Sequence, residues 1–129
     1  MIMTAELPIT QRSLDGVEGG VYVRPSGPVR GQAGVAFREH IARLLPHTQA
    51  LVIDLSEVQH IESAALGYLL NVHDDLTGRG GRLALADLSE AVQVVIDSIG
   101  FTSLFTITDT IDEAVDAVAA SDEGPLGLL

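Results

Sequence analysis

Between residues 50 and 70 the chain reads ALVIDLSEVQHIESAALGYLL, and this stretch limits the possible folds more than any other. The apolar run at 50–55 is too short for a buried helix and suits a buried strand. The polar loop at 56–61 leads to a helix that opens with Glu62-Ser63-Ala64-Ala65. Within it Ala65, Leu69, Val72 and Leu76 share one stripe, and Gly78 and Gly80-Gly81 close it. RLALA at Arg82–Ala86 then reads as a second buried strand. A strand that returns through a helix to another strand pairs with it in parallel.

The remaining segments fit the same scheme. Strand-like residues 9–14 and 21–24 flank the turn signals Asp15-Gly16 and Gly19-Gly20, which predicts an opening hairpin ended by Pro25-Ser26-Gly27-Pro28. Residues 33–45 carry Phe37, Ile41, Leu44 and Leu45 at helical spacing, with Pro46 as a stop. Ser89 caps a helix with the stripe Val92, Val95, Ile96 and Ile99, and Gly100 follows it. Residues 104–107 read as a last strand. Thr110-Ile111-Asp112-Glu113 forms a capping box for a helix carrying Ala114, Val115 and Val118. The expected fold is α/β: a hairpin, then alternating strands and helices, in a mixed and mostly parallel sheet with helices mainly on one face. One domain over 1–120 and a flexible tail over 121–129 are expected.

Composition narrows the function. Hydrophobic residues make up 47% of 129, enough for one real core. Without cysteine there is no disulfide, thiolate metal site or cysteine nucleophile. A formal charge of −11, with no lysine at all, argues against a nucleic acid partner. After Arg82 every charged residue is acidic, which reads as a solubilising face, with a docking face for a basic partner as the alternative. The start MIMTAELPIT lacks the pattern of a secretory signal. No apolar run nears the roughly 20 residues of a membrane span. A cytoplasmic domain without membrane insertion is expected.

No catalytic constellation emerges. His40, His47, His60 and His73 are scattered without ligand spacing, so no metal or cofactor is expected. Asp74 and Asp75 are helix neighbours that point apart. Asp54 at a strand end would need further acidic residues and a lysine to act as a phospho-accepting site, and the chain has no lysine. Glu62 and Ser63, at a helix start that favours negative charge, mark the place to look for function.

ALVIDLSEVQHIESAALGYLL, followed by RGGRLALADLSEAVQVVIDSIGFTSLFTITDTIDEAV, resembles the STAS domain family of anti-sigma factor antagonists and sulfate transporter domains. Asp54, Gly80, Gly81, Leu83, Gly100, Leu104 and Phe105 match the family pattern, while its Asp-Ser-Ser-Gly-Leu becomes Glu62-Ser63-Ala64-Ala65-Leu66. The resemblance implies a non-enzymatic module that binds an anti-sigma factor of kinase-like fold through this helix start. Glu62, Ser63, Ala64, Ala65 and Leu66, with Arg30 from the preceding loop, are the implied contact residues. It also places Ala64 where phosphoregulated members carry their acceptor, leaving Ser63 as the nearby hydroxyl, with an N-cap role as its ordinary explanation. Arg30, where the family often has an acid, would pair with Glu62 or join it in a mixed-charge patch. A soluble subunit of a lipid transport complex and a sensor of a small ligand or anion are the alternatives. Self-association is compatible with all three.

Overall fold

The computed structural model describes residues 7–119. Its elements run β1 (Ile9–Ser13), β2 (Gly20–Pro25), α1 (Gly31–Leu44), a 3₁₀ turn (Leu45–His47), β3 (Ala50–Asp54), α2 (Ser63–Gly78), β4 (Arg82–Ala86), α3 (Glu90–Ser98), β5 (Thr106–Thr108) and α4 (Ile111–Ala119). The sheet order is β1-β2-β3-β4-β5, with β1 antiparallel to β2 and every later pair parallel. The expected α/β architecture is present.

Strand order explains where the helices lie. Each crossover steps to the next strand in the same direction, so crossovers of one hand put α1, α2 and α3 on one face. There Phe37, Ile41, Leu66, Leu69, Leu76, Val92 and Ile96 pack on Val23, Leu51, Ile53, Leu83 and Leu85. α4 has no described strand after it and covers the opposite face, where Ala114 and Val118 meet Ala50, Val52, Ala84 and Ala86. Alternation along β3 and β4 divides larger residues from smaller ones. Small side chains under α4 let that helix lie close to β3 and β4.

The end of α2 shows why paired glycines stand there. Gly80 at φ 84° turns the chain, its N–H bonds the Thr77 carbonyl, and the Gly81 N–H bonds the Leu76 carbonyl. A Cβ on Gly81 would lie 2.3 Å from the Gln49 carbonyl oxygen, which at the same time accepts from the Arg82 N–H. Only glycine lets the chain enter β4 in this register.

Several expected boundaries shift. α1 begins at Gly31 instead of residue 33, and Pro46 sits inside a 3₁₀ turn that prolongs the helix. The last strand is Thr106–Thr108, displaced from 104–107, because Phe105 turns inward against Phe101 and His73 while Leu104 faces solvent. Both expected caps form. Ser89 accepts from the Val92 N–H, and Thr110 and Glu113 exchange hydrogen bonds as a capping box. The expected tail at 121–129 lies outside the described residues.

Ala84→Leu should overpack the α4 interface and lower stability by about 1–3 kcal/mol. Amide exchange should accelerate in α4 more than in α1 or α2. Uniform acceleration across all helices would show that α4 is not the element displaced.

Candidate functional site

Pairing of β2 with β3 continues past the ends of both strands. Gly27 N–H donates to the Glu57 carbonyl at 3.1 Å, Val29 N–H to the His60 carbonyl at 2.8 Å, and Glu62 N–H to the Val29 carbonyl at 3.0 Å. Val29 and Ile61 form a parallel bridge, and both side chains are buried. The loop before α1 and the loop before α2 are therefore one bonded unit. It sets the two helix starts side by side.

Glu62 joins those starts. It is the N-cap residue of α2 by backbone geometry, yet its side chain makes no cap bond there. The carboxylate reaches the neighbouring helix instead, accepting from Gly31 N–H at 3.2 Å and lying 3.5 Å from Arg38 Nη1. α1 has no cap from its own N-cap residue, Arg30, so Glu62 satisfies a donor otherwise left open at that end. Gly34 makes room for it, since a Cβ there would sit 2.4 Å from Glu62 Oε2. The half-exposed Arg38–Glu62 pair adds little energy by itself. Its value is positional.

Ser63 and Ala64 are exposed at the start of α2, whereas Ala65 and Leu66 are fully buried in the core. This corrects the expectation for the last two: a residue with no accessible surface does not touch a partner. The N-cap reading of Ser63 is corrected as well. Ser63 is the first helical residue, and its hydroxyl has no hydrogen-bond partner among the described residues. Arg30 lines the same groove as Glu62, as expected, and the ion pair that Glu62 makes is with Arg38.

A groove of about 400 Å³ runs along this unit, lined by Arg30, Gln59, His60, Ile61 and Glu62 on one wall and by Ala91, Val94 and Val95 of α3 on the other. The α3 wall was missed in the sequence. Its signal was Val94, an aliphatic residue off the buried stripe of α3, and it stands 57% exposed.

The other chemical candidates have structural explanations. Asp54 is buried and accepts from Tyr22 Oη at 2.5 Å and from Ser56 N–H at 2.9 Å, closing the turn after β3. Arg12 lies 4.4 Å above the Tyr22 ring. Burial, the hydrogen bond to Asp54 and the Asp54 charge push the Tyr22 hydroxyl up to about 12. Among the described residues no group of three or more His, Asp and Glu is placed to hold a metal ion. No helix among them is long and apolar enough to cross a membrane.

The STAS domain family profile matches residues 11–114. The chain belongs to the STAS domain family. A Thermotoga maritima protein named as an anti-sigma factor antagonist is 34% identical over 64 residues, covering 50% of this chain and 57% of that protein. This STAS chain thus aligns with little more than half of that relative's length. A Mycobacterium paratuberculosis structure titled an anti-sigma factor antagonist superposes with a TM-score of 0.74 at 27% identity, over 88% of this chain and 96% of that one. A Thermotoga maritima structure of the same description gives a TM-score of 0.77 at 24% identity, over 87% and 95%, and supports the fold alone.

The buried Tyr22–Asp54 contact makes stability depend on alkaline pH. An unfolded tyrosine loses its proton near pH 10, whereas folded Tyr22 keeps it to about pH 12. Below pH 10 both states hold the proton and the contribution is complete. Between the two values the unfolded chain binds fewer protons, so stability falls as pH rises, by on the order of 2 kcal/mol. Tyr22→Phe should remove most of that decline and cost about 1–3 kcal/mol at neutral pH, because Asp54 loses its donor. Denaturant titrations across this range test both, and an equally deep decline in the variant contradicts the assignment.

Proposed function

We propose that this STAS domain is an anti-sigma factor antagonist that docks an anti-sigma factor of kinase-like fold on the start of α2. One observation carries the reading: Ser63 and Ala64 are exposed on a helix start whose next residues, Ala65 and Leu66, are locked in the core. Small side chains on a fixed backbone permit close approach of a partner's main chain. The anti-sigma antagonist relatives support the class of partner. Binding would withhold the anti-sigma factor from its sigma factor, which is work for a cytoplasmic protein.

Ala64 defines how such a module is regulated. A phosphate adds about −1.5 to −2 charge at a contact surface and can expel a docked partner. Alanine offers no hydroxyl for it, so the domain stays competent to bind. Ser63 is accessible, but Glu62 beside it disfavours a second negative group.

The test uses the anti-sigma factor encoded by the same genome. Ala64→Arg should abolish its binding while changing unfolding free energy by no more than about 0.5 kcal/mol. Ala64→Ser should become a phosphate acceptor for the cognate kinase, while the natural chain remains unmodified from Glu62 to Tyr68. Unaltered affinity in Ala64→Arg, or stoichiometric phosphoserine at Ser63 in protein from the native host, would overturn the reading.

A further inference from the structure

The groove beside the α2 start carries information about what fills it. Its α3 wall is aliphatic, with Ala91, Val94 and Val95, and Ile61 contributes from the opposite side. Val94 gains nothing for the fold by standing 57% exposed, and covering it would remove apolar surface from water. Polar groups at the rim are unequal. The Glu62 carboxylate is already engaged by Gly31 N–H and Arg38. Arg30 is exposed at the rim and makes no ion pair among the described residues.

The position of that cation is unusual for this chain. The whole molecule carries a formal charge of −11 and holds only seven Lys and Arg residues. Arg30 also lines the adjoining apolar cleft of about 340 Å³ with Leu7, Pro28 and Ala33. A guanidinium flanked by apolar clefts selects a carboxylate that arrives with an aliphatic neighbour. A basic segment would meet Arg30 with repulsion and find Glu62 already taken.

We infer that this groove takes a protein segment in which an aliphatic side chain fills the space against Val94 and an adjacent Asp or Glu pairs with Arg30. The inference rests on the reading of the α2 start as a docking surface and specifies the partner's chemistry there. Arg30 is then a determinant of specificity: the apolar contact supplies affinity, and the ion pair at the rim rejects basic segments.

The probe is a library of random dodecapeptides displayed on phage and selected against the full chain. Enriched peptides should carry Asp or Glu within a few positions of Leu, Ile, Val or Met. A synthetic peptide from the leading clones should bind at least about tenfold more weakly to Arg30→Glu and to Val94→Asp. Exchanging its acid for Arg should restore binding to Arg30→Glu, a rescue that a misfolded variant would not show. Basic consensus sequences, absence of enrichment, or affinity indifferent to both substitutions would overturn the inference. So would concentration-dependent dimerisation abolished by Val94→Asp, which would put a second copy of the chain in the groove. If Ala64→Arg still blocks the anti-sigma factor under any of those results, only the groove chemistry falls and the proposed function stands.

Discussion

Main-chain pairing between residues 27–29 and 57–62 is the constraint on which the rest of this molecule's surface depends. Strands β2 and β3 could end at Pro25 and Asp54 and leave two independent loops. Instead the parallel ladder is extended by backbone hydrogen bonds around the Val29–Ile61 bridge, with both side chains buried beneath it. Backbone groups bonded to one another need no water, so this loop pair can pack against the core. α1 and α2 then start from one rigid seam. Glu62 adds a side-chain link across it, serving as the N-cap residue of one helix while its carboxylate bonds the other.

That arrangement gives the α2 start its character. Ala65 and Leu66 anchor the first turn from inside, leaving Ser63 and Ala64 outside with little freedom to move. The surface beside them is neither the acidic face that composition suggests nor a plain apolar patch. Arg30, Arg38 and Glu62 gather at the seam, one charge pair is internally matched, and Arg30 is left over. Among the described residues the acids that follow Arg82 lie on and around α3 and α4, and the groove wall that α3 supplies is aliphatic.

Much of the fold was legible because the chain is locally consistent. Strand alternation, helical stripes, the Ser89 cap and the Thr110–Glu113 box agree with the topology they build. Where reading failed, a tertiary contact had overridden a local signal. Leu104-Phe105 looks like the head of a strand, yet Phe105 is drawn inward by Phe101 and His73, and the polar triplet Thr106–Thr108 pairs with β4 instead. Ser63 looks like a cap, but Glu62 holds the N-cap position and Ser63 is the first helical residue, while the Glu62 carboxylate bonds Gly31 of α1, which no local pattern reveals. The misplacement of Ala65 is different in kind. It heads the stripe Ala65, Leu69, Val72 and Leu76, so its burial was already written in the helical period, and only the family motif argued for exposure.

Amide hydrogen exchange in the free protein shows whether the proposed docking surface is preformed on a bonded seam. Val29 and Glu62 donate across the seam, so their amides should exchange as slowly as those of β3, requiring large-scale opening of the domain. The amide of Arg30, on the exposed side of the same loop, should exchange much faster. Val29 and Glu62 exchanging at the rate of an open loop would contradict the account, because the two helix starts would then be held only by side chains.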